Sequence, residues 1–158
     1  MMRKDSDDIF NVLEKMKEHE LAMAEYYQAW RQVWSAEKDL WMEMEQAEMR
    51  HARYLETMIG FILKKPERFE WSRPLKQAAI QTATSGVRLS IHKLKNGEIP
   101  MYKAIFTARD FEQSIIENKY GEMIKTDDIE FRSLIGEIVS DTQSHLAQLN
   151  KKIKEWTR

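Results

Sequence analysis

The chain has 158 residues, with 25 basic and 26 acidic side chains and no cysteine. This length allows one domain, residues 1–158, with a substantial apolar core, and the balanced charge argues against a general binder of nucleic acid or anionic membranes. The lack of cysteine excludes disulfides and thiolate chemistry and fits a reducing compartment. Because no apolar run reaches about 18 residues and the N-terminus is acidic rather than signal-like, we expect a soluble, cytoplasmic protein.

Helix-breaking residues are few and concentrated. The sequence has only five glycines, and its three prolines, Pro66, Pro74 and Pro100, all fall between the two halves. This distribution predicts long helices joined by one elaborated connection.

The first predicted helix begins at the capping residue Asp5 or Ser6 and carries apolar residues at steps of three and four. After a turn near Ser35, the second helix ends near Lys65, because the residue before a proline disfavours helical geometry. A crossover helix, the third and the fourth bundle helices follow. The predicted fold is all-α, a ferritin-like antiparallel four-helix bundle of two hairpins with a long helical crossover. The predicted helices cover about residues 6–34, 37–65, 74–95, 100–124 and 127–156.

Two similar sets of polar residues interrupt the apolar helix faces. The first set is Glu20 on the first helix, with Glu48 and His51 on the second. A Glu on one helix and Glu-x-x-His on its neighbour, present twice, is how a four-helix bundle holds two metal ions. The second half repeats the order with threonine in place of the second glutamate, as Glu112, Thr142 and His145.

The two sets are expected to meet at the same height. In an antiparallel hairpin, residues equally distant from the turn are level, and Glu20 with the midpoint of Glu48 and His51 averages to about residue 35. The second set averages to about residue 128 in the same way, again at a predicted turn. The polar residues of both hairpins should therefore converge in an apolar interior.

Each motif also has an ordinary interpretation. His145 could be a hydrogen-bonded core histidine, and Glu20 could pair with Lys15 or Lys17 in solvent. The coincidence of level, face and repetition favours a metal site instead, because buried carboxylates without a neutralising cation or proton are strongly destabilising.

With these motifs the chain resembles the ferritin-like superfamily, and within it the rubrerythrin-like di-iron carboxylate proteins. The resemblance spans nearly the whole chain, without the rubredoxin-like module, which requires cysteine. It is carried by the segments 20–27, 45–51, 111–112 and 142–145. The metal ligands that it implies are Glu20, Glu48, His51, Glu112 and His145.

The resemblance breaks at one position. Thr142 occupies the place of a usually bridging glutamate, and a neutral hydroxyl is a poor ligand there. Asp141 is adjacent but rotated by about 100° on the helix, so it could substitute only in a distorted helix. Tyr27 is a candidate hydrogen-bond donor to the ligands or a radical relay, although a buried structural tyrosine is the simpler interpretation.

The resemblance implies a metal-binding protein with two iron ions, or one if the site is degenerate, with manganese as an alternative. It also implies oxidase or peroxide-reducing chemistry on dioxygen or peroxide, and a homodimer, with no nucleic-acid or membrane partner. No catalytic residue is assigned. The alternative is a metal-free bundle serving oligomerisation or partner binding, which exposed aromatics such as Tyr26 or Trp71 would favour. His19 and His92 are expected at the surface.

Overall fold

The computed structural model describes residues 2–72, 76–117 and 122–157. The described part is 84% helical, with five helices and one small sheet, which confirms the all-α class. No helix in these three ranges is long and apolar enough to cross a membrane. The helices are α1 (Met2–Val33), α2 (Lys38–Lys64), α3 (Gln77–Lys95), α4 (Met101–Glu117) and α5 (Ile129–Trp156). The strands are β1 (Glu70–Trp71) and β2 (Ile124–Lys125).

Helices α1 and α2 form an antiparallel hairpin. Arg31 pairs with Glu45 at 2.8 Å and Lys17 pairs with Glu56 at 2.6 Å. The earlier residue of α1 thus pairs with the later residue of α2, as antiparallel helices require. The chain reverses at Glu37, whose φ of 62° lies in the left-handed region that residues other than glycine seldom adopt. The turn predicted between the first two helices is confirmed.

Two predicted helix ends are wrong. Helix α1 begins at Met2, before the predicted caps Asp5 and Ser6. The third bundle helix was expected to reach Ile124, which instead lies in β2 and pairs antiparallel with Trp71 of β1. A short apolar run such as Met123 and Ile124 cannot be assigned to strand or helix from periodicity, and here pairing with the crossover satisfies its backbone. The predicted helix start at residue 74 lies outside the described residues.

The core is divided into two apolar clusters with a polar layer between them. One cluster contains Leu13, Leu55 and Phe131, and the other contains Trp30 and Trp41, all essentially without solvent exposure. Full burial of each such side chain contributes about 1.5–3 kcal/mol relative to exposure. Helix α3 packs against α1 at the outside of this arrangement. The two clusters therefore enclose the level at which the polar sets were predicted to meet.

Candidate metal centre

Five ionisable side chains from four helices lie in this polar layer. Helix α1 supplies one carboxylate, α2 supplies a carboxylate and an imidazole one turn apart on the same face, α4 supplies a carboxylate and α5 an imidazole. Their exposed fractions are Glu20 0%, Glu48 0%, His51 0%, Glu112 0% and His145 4%.

The first group of ligand atoms joins α1 and α2. His51 Nδ1 lies 3.4 Å from Glu48 Oε2 and 3.8 Å from Glu20 Oε2. One ligand atom from each of the three residues lies within 4.8 Å of the other two. We call these three residues the first trio.

The second group joins α2, α4 and α5. His145 Nδ1 lies 3.5 Å from Glu48 Oε1 and 3.5 Å from Glu112 Oε1. These residues also place ligand atoms within 4.8 Å of one another, and we call them the second trio.

Glu48 belongs to both trios through different oxygens. Its Oε2 faces His51 and its Oε1 faces His145, and the two imidazole rings lie 6.4 Å apart between centroids. One buried carboxylate between two imidazoles has the disposition of a bridging ligand.

Most of the ligand atoms have no other partner. Both oxygens of Glu20 and of Glu48, Oε2 of Glu112, and Nδ1 of His51 and of His145 lack hydrogen-bond partners within the described part of the chain. Buried polar atoms are normally paired, because leaving them unpaired costs free energy. Carboxylate and imidazole donors gathered within a few ångströms of one another fit divalent cations of the iron and manganese type.

Protonation is the other way to neutralise this cluster. Burial and the nearby Glu48 charge raise the pKa of Glu20 to about 8. Burial alone would lower the pKa of His51, but the carboxylates of Glu20 and Glu48 beside it raise the pKa to about 11. The same opposition, with Glu112 and Glu48 as the carboxylates, raises the pKa of His145 to about 10. In the metal-free chain at neutral pH, protons therefore occupy groups that would have to release them to bind cations.

Asp141 holds the far side of one histidine. His51 Nε2 donates to Asp141 Oδ2 at 2.9 Å, and Arg50 lies 3.8 Å from the same oxygen. Carboxylates bonded to the distal nitrogen of a ligating histidine set its tautomer and orientation. Asp141 thus contacts the candidate centre only through the distal nitrogen of His51. Helix α5 is a regular α-helix at this position, without the distortion that Asp141 would need to act as a ligand.

Thr142 is buried at the layer but turns away from it. Its hydroxyl donates to the carbonyl of Ile138, one turn earlier in α5, at 2.8 Å. This local bond is common for threonine within helices. It leaves the position corresponding to Glu48 in the second hairpin without a ligand atom.

Tyr27 contacts the second trio directly. Its buried hydroxyl donates to Glu112 Oε1 at 2.5 Å. Burial, and then the charge of Glu112, raise the pKa of this phenol well above its ordinary value. The tyrosine therefore stays protonated and fixes one oxygen of Glu112.

Two residues expected at the surface are buried. His19 lies under α3, with Nδ1 3.1 Å from Thr84 Oγ1. Because the Thr84 hydroxyl donates to the carbonyl of Ile80, His19 Nδ1 must donate to Thr84, and burial lowers the pKa of this imidazole. Tyr26 is also buried and donates to the carbonyl of Ala104 at 3.2 Å. Sequence periodicity treated both side chains as outward-facing because it did not anticipate which neighbours cover that side of α1.

The other two residues expected at the surface differ in their exposure. His92 is exposed, as expected. Trp71 is partly buried and packs against the first apolar cluster, so it offers only part of its ring to a partner.

Comparison of the chain with protein-family models, with curated proteins and with solved structures finds no match. The chemical interpretation of the centre therefore depends on its own residues and their geometry.

Proposed function

We propose that this protein is a ferritin-like metal-binding protein of the rubrerythrin-like kind, with a centre for two ions of iron or manganese. The observation that carries the proposal is the Glu48 carboxylate, which is fully buried and shared by two trios whose ligand atoms mostly lack hydrogen-bond partners among the described residues. Three carboxylates and two neutral imidazoles carry three negative charges against four positive charges of two divalent ions. The loaded centre would then retain one net positive charge. This buried charge is smaller than the three negative charges of the deprotonated ligands alone or the four positive charges of the ions alone.

The donor set indicates the class of chemistry. Mixed carboxylate and imidazole ligands suit iron and manganese, and a pair of such ions would supply electrons for reducing dioxygen or peroxide. The first trio would hold one ion and the second trio the other, with Glu48 between them. Asp141 would keep His51 oriented, and Tyr27 would limit the freedom of Glu112.

The two positions are unequal although each trio has two carboxylates and one imidazole. One oxygen of Glu112 already accepts a hydrogen bond from Tyr27, whereas both oxygens of Glu20 lack hydrogen-bond partners among the described residues. We therefore expect the ion of the second trio to bind more weakly than the ion of the first trio. A centre filled in two separable steps follows from this asymmetry.

Metal analysis tests the proposal. The full chain is expressed in medium supplemented with iron or manganese, and its metal content is measured by elemental analysis. The protein is then stripped, and Fe²⁺ or Mn²⁺ is added without oxygen while thermal unfolding is followed. We expect up to two ions per chain and a melting temperature that rises with metal concentration, because a ligand bound only to the native state stabilises it.

Glu48→Gln is the matched variant, and Glu43→Gln, an exposed position on the same helix, is its control. If neither Fe²⁺ nor Mn²⁺ changes the melting temperature of the metal-free wild-type protein, the proposal is overturned. An equal response of Glu48→Gln and Glu43→Gln to added metal would also overturn it.

A further inference from the structure

A row of aromatic side chains leads from the ligand cluster to the surface. It starts at Tyr27, whose hydroxyl contacts Glu112, and continues to Trp41 at 6.2 Å between ring centroids. The next steps are 4.3 Å to Trp30 and 4.6 Å from Trp30 to Trp34. Trp41 and Trp30 are fully buried, whereas Trp34 is partly exposed just after the end of α1. We call these four residues the aromatic row.

Apolar packing accounts for the rings but not for their indole nitrogens. A buried tryptophan N–H usually finds an acceptor. Trp41 Nε1 has none among the residues that the structure describes, and Trp30 Nε1 makes no well-formed hydrogen bond there, with only the Tyr26 hydroxyl beside it. Burying a neutral indole with no acceptor costs free energy, so the arrangement calls for a reason beyond packing.

That reason lies in what happens when such a ring loses an electron. An oxidised indole becomes a much stronger acid, and an acceptor would remove its proton and trap the radical. Trp41 has no acceptor among the described residues, and the neutral hydroxyl beside Trp30 is too weak a base to take its proton. Both indoles therefore keep their protons and can each take an electron back from a neighbour. Tyr27 differs from both, because its hydroxyl already donates to the carboxylate of Glu112.

We propose that the aromatic row is an electron relay between the ligand cluster and the protein surface at Trp34, just after the end of α1. Its use in reducing dioxygen or peroxide rests on the proposed function, but the relay itself is a property of the metal-free chain. A one-electron protein reductant at Trp34 would return electrons inward whenever Tyr27 has been oxidised.

The relay can be driven from outside with balanced steps. A surface oxidant takes one electron from Trp34, and electrons then move outward from Trp30, Trp41 and Tyr27 in turn. Tyr27 loses one electron, and its phenolic proton passes along the existing hydrogen bond to Glu112. The net change converts a phenol and a carboxylate into a neutral tyrosyl radical and a carboxylic acid, while the oxidant gains one electron.

The test uses the metal-free full chain and tris(bipyridine)ruthenium(III) generated by a light flash. Transient absorption and electron paramagnetic resonance then follow the radicals, which are distinct for tryptophan and tyrosine. We expect a tryptophan radical that decays into a tyrosyl radical, and loss of that tyrosyl signal in Tyr27→Phe. Trp41→Phe keeps an aromatic ring at this position, but phenylalanine is not oxidised by this reagent. The radical should therefore stay on Trp30 or Trp34 and not reach Tyr27.

Two control variants isolate the route. Tyr102→Phe removes a tyrosine with 57% exposure, which can react directly with the oxidant, and should leave the delayed signal intact. Trp71→Phe removes a partly exposed tryptophan packed against the other apolar cluster, and should also have no effect. Trp34→Phe, at a partly exposed position, should suppress the delayed signal and serves if Trp41→Phe does not fold.

A delayed tyrosyl signal that survives Tyr27→Phe, or that survives both Trp41→Phe and Trp34→Phe, overturns the relay. Absence of any delayed tyrosyl signal in the wild-type chain also overturns it. Metal content, measured separately, should equal wild type in Trp34→Phe, since this residue touches no ligand. Protein that binds metal but lacks the delayed radical would therefore disprove the relay alone.

Discussion

The two trios of the candidate centre share Glu48 but differ in what surrounds their other residues. In the first trio, both oxygens of Glu20 lack hydrogen-bond partners among the described residues, and Asp141 accepts a hydrogen bond from the far nitrogen of His51. In the second trio, one oxygen of Glu112 already accepts a hydrogen bond from Tyr27. The first trio therefore has more free ligand atoms and a better-held imidazole.

Thr142 completes the contrast. It lies where the second hairpin would carry a counterpart of Glu48, and its hydroxyl is bonded to Ile138. The second hairpin therefore supplies one carboxylate fewer than the first, although each trio still has two carboxylates and one imidazole. Experiments that reduce or increase these differences test how far the two trios differ in metal affinity.

Removing the shared carboxylate should have the largest effect. Glu48→Gln keeps the shape of the side chain but takes one ligand from both trios, so both ions should be lost. Elemental analysis after dialysis measures the result, with Glu43→Gln as the exposed control. Retention of one full equivalent of metal would show that the trios do not depend on Glu48.

Removing each histidine should separate the trios. His51→Ala should eliminate the tighter ion, and His145→Ala only the weaker one, because each imidazole belongs to a single trio. Isothermal titration with Mn²⁺ measures affinity and stoichiometry. His92→Ala, at an exposed position, is the control, and equal stoichiometry in all three variants would show that the centre is misplaced.

Thr142→Glu should restore the carboxylate that the second hairpin lacks. The new carboxylate would supply the missing ligand and bring the charge of the loaded centre from one positive to neutral, so occupancy should approach two ions per chain. Without metal, the same change buries another charge beside Glu48, and an uncompensated buried charge costs about 3–5 kcal/mol. Thermal melts with and without Fe²⁺ test both halves of the expectation.

A Thr142→Glu protein that is destabilised and gains nothing from added metal would contradict the two-ion centre. Thr142→Gln, which is similar in size but uncharged, separates the effect of charge from that of volume.

Removing the support of His51 should weaken the first trio only. Asp141→Asn keeps a partner near His51 Nε2 but removes its charge, and loss of such partners typically lowers metal affinity roughly 10–100-fold. Titration should show the tighter step weakened and the weaker step unchanged. Asp110→Asn, an exposed aspartate on α4, should change neither step.

The smallest effect is a pH dependence that distinguishes loaded from metal-free protein. The folded pKa of Glu20 is raised from 4.5 to about 8, and that of His51 from 6.5 to about 11. The native metal-free chain therefore holds more protons than the unfolded chain between these values, and its stability falls as pH rises through them.

Metal replaces those protons, so the loaded protein should lose less stability over the same range. The difference in melting temperature between Mn²⁺-loaded and metal-free protein should widen from about pH 6 to about pH 8, within the range where the native chain holds the extra protons. A constant difference would contradict the exchange of protons for metal.

The helices and the buried set of carboxylates and imidazoles were predictable because both depend on local spacing. Apolar residues at steps of three and four define a helix face, and Glu-x-x-His places two side chains on that face whatever lies opposite. Glu20 was predicted to lie at the same height along the bundle as Glu48 and His51. This prediction used only the position of the turn and the rise per residue of a helix. Five of the predicted positions do meet in one buried layer.

Contacts between distant segments were not predictable from spacing. Ile124 leaves the helical pattern because a strand of the crossover offers it hydrogen bonds. His19 is buried because α3 covers that side of α1, and periodicity cannot say which side of a helix a crossover will occupy. Asp141 was recognised, but its role as the partner of His51 depends on how α5 is rotated against α2.

The sequence by itself determined which residue types line the interior and how they are spaced along each helix, because those properties are local. Only the tertiary structure decided that the two oxygens of Glu48 face different histidines and that Thr142 is bonded to its own helix. It also decided that Tyr27 begins an aromatic row ending at Trp34. Each of these depends on helix rotation and side-chain rotamers, which packing selects among alternatives that the sequence pattern leaves equal.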